Sequence, residues 1–494
     1  MTKSAIRLQY SGFVIFAGKL FSVATGLAFQ YMIARSTTTQ EYGVWFNIND
    51  LLTYFTILAG ILPFWILRFA ARAEKGAEKT GVFANFIISI VAALIYVSFV
   101  PFIASALGVK GYVCLYLLVS LQIVEVHLLN AFEACLRAKK PQALGYGTFI
   151  AETFKVVSGY LLIVRLQRSL EGAIISILLA IAAQIFYYMK LLVKELRQSI
   201  KWDYIKEWLK GSLVNIYSVL GNQIAALIFI MLFTYGGETA RGNYGAAAQI
   251  ANIITYSNFL AFALYPKLLA ENDSRDIPTS FKTVLMFAIP MTVGVLIMPD
   301  LYLTILKEEY MKASQVLIVL AVDAFVATLS TIFSFVLFGL EKIDEEARIS
   351  LKELFKSRIF MAYSLSYIHS AITIPVTFYV LTTYTLDPVQ AALSVAIINS
   401  SARFAMFLLL YAMVRKMVRI AAPWMNIAKY VSASAIMGCV LYALREMMHP
   451  SRVYQILGLT AFGGAFYLML LMIIDKDMRT LAKLAWQEIT YRRV

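Results

Sequence analysis

Much of what a soluble enzyme is built from is scarce in this sequence. Charged residues fill only 15% of its 494 positions, and cysteine and histidine occur three times each. Cys114, Cys135 and Cys439 all lie in apolar runs and form no CxxC pair, which leaves neither a disulfide framework nor a cysteine metal site. His127, His369 and His449 are scattered singly, and there is no HExxH, His/Cys cluster or nucleophile elbow. A nucleotide loop is missing too. Gly12 and Gly18 precede Lys19 one residue too far apart, and Leu20 stands where a P-loop needs Ser or Thr. Long loops are absent: the largest polar pieces are 194–210, 341–358 and the tail after Ile474. A membrane-embedded glycosyltransferase or saccharide polymerase, the reading from another functional class, would need a sizeable acceptor-binding loop that this chain lacks.

What fills the chain instead is hydrocarbon. The composition is 60% hydrophobic with a mean hydropathy of +0.73, and apolar runs of about 20 residues recur from end to end, each long enough to cross a core of about 30 Å as a helix. The spacing predicts an all-α polytopic membrane protein with fourteen spans, near 9–33, 44–69, 82–107, 111–136, 143–164, 170–193, 211–235, 244–269, 281–305, 313–340, 360–385, 389–413, 428–447 and 453–474. The first run is too long for a signal-peptide core, carries Lys19 and has no small-residue cleavage site after it, so it stays as a span. The net charge of +15 is explained by topology rather than by nucleic acid. With both termini cytoplasmic, 31 of the 44 Lys and Arg fall on the inner side and 9 outside, among them Arg35, Lys110 and Arg241.

An internal repeat divides the chain. TTTQEYGVWFNINDLLTY (37–54) aligns without a gap onto TARGNYGAAAQIANIITY (239–256), with identities at Thr37, Tyr42, Gly43, Thr53 and Tyr54, and Pro63 and Pro266 recur near the ends of the same two spans. Six spans separate the copies, so both halves have the same orientation and a pseudo-two-fold axis runs along the membrane normal. The expected organisation is an N-terminal lobe (1–193, spans 1 to 6), a cytoplasmic linker helix (194–210), a C-terminal lobe (211–413, spans 7 to 12), and 414–494 with spans 13 and 14 and the tail. In the linker, Trp202, Ile205 and Leu209 share a face flanked by Lys201, Lys206 and Lys210, as on a helix lying along the inner membrane surface.

Two parallel six-helix lobes, the ARSTTTQEYG turn ending at Tyr42 and Gly43, its echo GNYG ending at Gly245, and LFGLEKI (337–343) after span 10 together resemble the Wzx-type polysaccharide flippases. These belong to the multidrug/oligosaccharidyl-lipid/polysaccharide exporter superfamily. The resemblance covers about residues 9–413. It implies a transporter rather than an enzyme, with no cofactor. The substrate implied is a lipid-linked saccharide on a polyprenyl phosphate or diphosphate, crossing a cationic central cavity. Membrane lipids and other saccharide-assembly proteins are the further partners it suggests.

Charges inside spans are the site candidates, because each costs roughly 2.5–3.5 kcal/mol to insert and so faces a partner or water. Lys19 lies about 15 Å into span 1 at 1.5 Å per residue, with no acid one turn away. Asp50 shares a face of span 2 with Asn47, and the repeat places Gln249 and Asn252 at the matching positions; gluing neighbouring helices together is the plainer role for the amides. Asp50 is expected to act as a proton or cation site, or as the intermittent partner of a basic residue. Glu152 and Lys155 are three apart on span 5 and can neutralise each other, with Glu125 as a third member; Asp323 and Arg403 form the analogous group in the second lobe. Asn222 and Gln223 stand near the equivalent of Lys19, and Lys429 is placed to snorkel. Lys19, Lys155, Arg403, Asn222, Gln223 and Asn252 are thus the substrate-binding candidates. Asp50, Glu125 and Asp323 are those for coupling or gating. The competing reading is a cation-coupled exporter of drugs or other small molecules, against which a basic lumen would argue if the drug is cationic.

Overall fold

The computed structural model describes residues 8–71, 74–261, 264, 275, 277–340, 357–418 and 423–479, and among these every regular element is helical. The α-helices are α1 (Leu8–Ser36), α2 (Thr39–Phe55), α3 (Ile61–Ala71), α4 (Ala77–Ala106), α5 (Val113–Lys139), α6 (Gln142–Gly159), α7 (Ser169–Leu191), α8 (Val193–Leu196), α9 (Trp202–Gly211), α10 (Leu213–Gly236) and α11 (Glu238–Ala251). After them come α12 (Ile277–Ile297), α13 (Pro299–Leu306), α14 (Ser314–Leu340), α15 (Arg358–Thr383), α16 (Pro388–Met417), α17 (Trp424–Met448) and α18 (Val453–Ile474). Eleven helices among the described residues are long and apolar enough to cross a membrane, and twelve if a bent pair counts as one. Helix α1 stands where the first of the fourteen expected spans lies, and most of the lower part of the eighth falls outside the described residues. On α4, Phe86, Val91, Leu94, Ile95, Phe99 and Phe102 all point outward, a face that only hydrocarbon solvates without penalty.

The bent pair is α2 with α3, turned by 56°. A capping box starts α2: the Thr38 hydroxyl accepts from the Glu41 N–H at 3.1 Å, and the Glu41 carboxylate accepts from the Thr38 N–H at 2.8 Å. The helix stops at Thr56, passes through a 3₁₀ turn (Ile57–Gly60) and resumes. Pro63, which has no N–H for the carbonyl four residues back, explains the interruption. In the second repeat copy α11 gives way at Asn252 to ten residues of 3₁₀ helix, Asn252–Ala261. Such runs rarely exceed about four residues and mark hinges or strain. Pro266 lies outside the described residues.

The chain forms two compact units, Met1–Gly242 and Asn243–Val494. In the first, α1 packs along α6, where a Cβ on Gly18 would stand 3.2 Å from the Gly145 carbonyl oxygen; small residues let membrane helices approach this closely. Helix α10, which the sequence assigns to the second lobe, packs here against α2. Helix α9 docks on α3 and α4. Trp208 is fully buried against Phe69, with Tyr204 and Ile205 beside it, whereas Trp202 and Leu209 are exposed. Trp208 anchors the helix on the bundle, and the Trp202/Leu209 side, which the sequence reading laid along the membrane surface, stays exposed. In the second unit α17 and α18 pack on α12, and Asp475 and Asp477 at the end of α18 fasten them. Asp477 meets Lys282 at 2.7 Å and Asp475 meets Lys429 at 3.3 Å, so Lys429 is an ion-pair member rather than a snorkelling cation.

Candidate functional site

Helix α2 carries the densest polar constellation in the first unit. The turn between α10 and α11 is made by Gly237 at φ +87°, a conformation that side chains other than glycine's rarely take. It brings the start of α11 against the start of α2 with almost no separation. A Cβ added to Gly43 would lie 1.9 Å from the Glu238 carbonyl oxygen, and one on Gly242 would lie 2.3 Å from that of Thr39. Gly43 is one of the repeat identities, and its lack of a side chain is what this crossing requires. Next to Gly242, Arg241 turns inward along α2. Its Nε donates to Asp50 Oδ2 at 2.7 Å and its Nη2 to Oδ1 at 2.8 Å, while its guanidinium lies 4.8 Å from the Phe46 ring and 5.2 Å from that of Phe229 on α10. The side chains are 6% and 15% exposed. Bidentate geometry with two aromatic faces is the setting in which a buried arginine is well compensated.

Asp50 therefore has a fixed cationic partner in this structure, and Arg241, expected in an outer loop, is buried. One turn beyond Asp50, the Thr53 hydroxyl donates to the Gln223 side chain at 3.0 Å and the Tyr54 hydroxyl to the Gln223 carbonyl at 2.9 Å, so α2 grips α10 twice more. Asn47 is buried and accepts from the Tyr116 hydroxyl at 2.6 Å, the helix-joining role weighed for the amides. Asn222 is exposed, as is Asn252, where the 3₁₀ stretch of the second unit begins. Lys19 lies within α1, but its side chain is outside the described residues.

The second constellation joins α1 and α6. Glu152 meets Lys155 at 2.6 Å and accepts from Ser22 at 2.9 Å and from Thr25, and Lys155 lies 5.8 Å from the Phe29 ring. The pair expected from i, i+3 spacing is present, with hydroxyls as its further members. Glu125 stands apart: its Oε2 is buried without a hydrogen-bond partner among the described residues. In the second unit the expected pairing of Asp323 with Arg403 is present at 2.5 Å, the carboxylate buried and the arginine 38% exposed.

No protein-family model matches the sequence, and no curated protein matches it. Solved structures do. Lipid II flippase MurJ in an inward closed conformation superposes with a TM-score of 0.70 at 15% identity, over 94% of this chain and 99% of that one. An inward-facing multidrug resistance MATE family transporter of the MOP superfamily gives 0.60 at 16% identity, over 81% and 96%; an outward-facing one gives 0.51 at 14%, over 84% and 99%. At 14–16% identity this likeness shows the fold, which the chain shares with these transporters. The resemblance to Wzx-type flippases implied a fold of this kind, and the likeness found is to MurJ and MATE structures, not to a Wzx-type one.

Arg241 and Tyr116 are the site residues that sequence reasoning missed. For Arg241 a signal existed: it is the only charged residue between Glu238 and Lys267, and it faces, one repeat away, a segment whose lone intramembrane acid needed a partner. Counting it as an outer-loop cation hid that role.

Proposed function

We propose that the protein is a flippase that moves a lipid-linked saccharide across the cell membrane by alternating access, for the assembly of a surface glycan. The observation that carries this reading is the extent of the likeness to MurJ. It takes in 94% of the chain at a TM-score of 0.70, against 81% at 0.60 for the inward-facing MATE transporter. A saccharide on a phosphate or diphosphate needs a wet passage with cations, while its polyprenyl tail remains in lipid. Lys19, Lys155 and Arg403 are the cations assigned to the phosphate, and Asn222, Gln223 and Asn252 the amides assigned to sugar hydroxyls. Asp50, Glu125 and Asp323 are assigned to coupling or gating. The Asp50–Arg241 pair, where α2 crosses the turn between α10 and α11, is a latch that holds in one state and parts in the other. Both termini are cytoplasmic in this reading, with the α10–α11 turn outside.

One observation favours the small-molecule exporter. Arg241, Lys155 and Arg403 each carry a carboxylate partner, so the described buried charges are balanced and do not repel a cationic drug as an unpaired basic lumen would. Deleting the gene in its host separates the readings. The flippase reading expects lipid-linked saccharide to accumulate on the inner leaflet. Unchanged glycan precursors combined with lost drug tolerance would favour the exporter.

A further inference from the structure

Cations are scarce on the side of the membrane that the proposed topology places outside, with nine of the 44 Lys and Arg there. Two of them, Arg35 at the end of α1 and Arg165 just beyond α6, stand in matching settings. The Arg35 guanidinium lies 5.5 Å from the ring of Tyr31, and that of Arg165 lies 5.4 Å from the ring of Tyr160. All four residues are exposed. Tyr31 and Arg35 are one helical turn apart. Tyr160 and Arg165 are five residues apart, which in an α-helix would turn them about 140° from each other. Here α6 widens into a π-helix over Tyr160–Arg165. The Leu166 N–H donates to the Leu161 carbonyl at 2.9 Å, and a turn of that width sets the fifth residue over the first. Such π-turns are frequent at functional sites. Among the described residues Arg165 has no carboxylate partner, whereas its neighbour Arg168 faces Glu171 at 3.5 Å.

The two settings share one flank of the α1–α6 pair. These helices run parallel and in register: Ser22 and Thr25 both bond to Glu152, 130 and 127 positions on, and the rings of Phe21 and Phe149 lie 5.2 Å apart. Nearer the end, a Cβ on Gly159 would stand 2.8 Å from the ring of Phe29. Tyr31 with Tyr160, and Arg35 with Arg165, keep the same offset, so each pair stands at one height. At about 100° per residue, Tyr31 and Arg35 are turned about 90–130° from the line of α1 that faces α6, and Tyr160 is turned about 80° in the opposite sense on α6. On parallel helices that face each other, opposite senses mean the same side. Phe29 and Lys155, 5.8 Å apart, turn the other way on their helices and share the far side. Ser169 Oγ fixes this end of the pair by donating to the Ser36 carbonyl. Val157, Leu161 and Val164 are exposed beside the tyrosine and arginine of α6, an apolar surface that acyl chains can cover.

We propose that Arg35 and Arg165 together bind the phosphate of an outer-leaflet phospholipid, whose chains lie along the exposed apolar side of α6. Stacking on a tyrosine holds each guanidinium at the depth where aromatic rings meet headgroups, and its planar fork matches phosphate oxygens. The leaflet depends on the proposed topology; the contact does not. The occupant is a resident lipid, held on the side of the pair away from Glu152 and Lys155, and distinct from the saccharide substrate. Purified protein in nanodiscs with a phosphatidylglycerol that carries a photoreactive group beside its phosphate should be labelled in the peptides spanning 31–35 and 160–165. Arg35→Gln/Arg165→Gln should lower that labelling several-fold, and each single substitution part-way, with labelling elsewhere and thermal unfolding unchanged. Arg168→Gln, which removes a cation already facing Glu171, should leave it as it is. A photoreactive diacylglycerol with the same chains and no phosphate should label wild type and double variant equally. Labelling that survives the double substitution would overturn the site, and so would a fall as large in Arg168→Gln, which would mean that positive charge in general draws the lipid. Displacement of the label by polyprenyl phosphate at lower concentrations than by unlabelled phosphatidylglycerol would overturn the phospholipid and give the site to the carrier. None of these measurements reads transport, so loss of the site leaves the flippase reading standing, and failure of that reading leaves the site.

Discussion

Asp50→Asn removes one charge and almost no volume from the ion pair between α2 and α11. In the native arrangement both carboxylate oxygens are bound by Arg241 at 2.7 and 2.8 Å, and the guanidinium is only 6% exposed. The variant leaves that cation buried without its counter-charge, a change that costs about 3–5 kcal/mol where no rearrangement intervenes. The rings of Phe46 and Phe229 keep some of the cation's stabilisation, about 0.5–2 kcal/mol for each face depending on its desolvation. A net loss of about 3 kcal/mol is therefore expected for Asp50→Asn. Arg241→Gln should lose a similar amount, for it strands the carboxylate and empties the space between the two rings. With both changes together no charge is stranded, so the double variant should be more stable than the sum of the singles implies, by about 2 kcal/mol or more. The assay is unfolding of all four proteins in one detergent. Additivity within about 0.5 kcal/mol would mean that the two groups do not interact as described and would refute the reasoning from the pair.

Other consequences are equally direct. Gly43→Ala should destabilise the protein by about 1–3 kcal/mol, read in the same unfolding assay, because the new methyl meets backbone rather than a movable side chain. Trp208→Ala should cost about 3–5 kcal/mol and expose α9 to protease, since this fully buried ring is what fastens that helix to α3 and α4. For topology, single cysteines at the exposed positions Arg168 and Lys476, in a background free of the native three, should differ in labelling by an impermeant reagent added outside. Labelling of both would contradict the orientation. Lys19→Arg should retain most transport and Lys19→Gln lose it, by roughly one to two decades in affinity for a charge-assisted contact of about 1.5–3 kcal/mol. A stable Lys19→Gln protein with wild-type transport would remove Lys19 from the site.

Hydropathy made the fold legible because lipid imposes it: a span must be helical and about 20 residues long, so length and polarity leave little choice. The Glu152–Lys155 pair was legible for a similarly local reason, three residues on one helix. The partner of Asp50 was not. Arg241 lies 191 positions away, and it sits in a turn that charge counting assigns to water; only the crossing of two backbones at Gly43 and Gly242 brings it inward. The anchor of α9 shows the same limit, since periodicity groups Trp202 with Leu209 but says nothing of the contact that Trp208 makes with Phe69. The ten-residue 3₁₀ stretch after Ala251 leaves no mark in a sequence that reads as a continuous apolar helix.

Purified protein reconstituted into liposomes that carry a polyprenyl-diphosphate-linked saccharide tests the central claim most directly. Saccharide initially confined to one leaflet should become accessible to a membrane-impermeant lectin or glycosidase on the other side, faster than in protein-free liposomes and in proportion to the protein added. Transfer no faster than in empty liposomes, from the same preparation that exports a cationic dye, would contradict the flippase and leave the small-molecule exporter in its place.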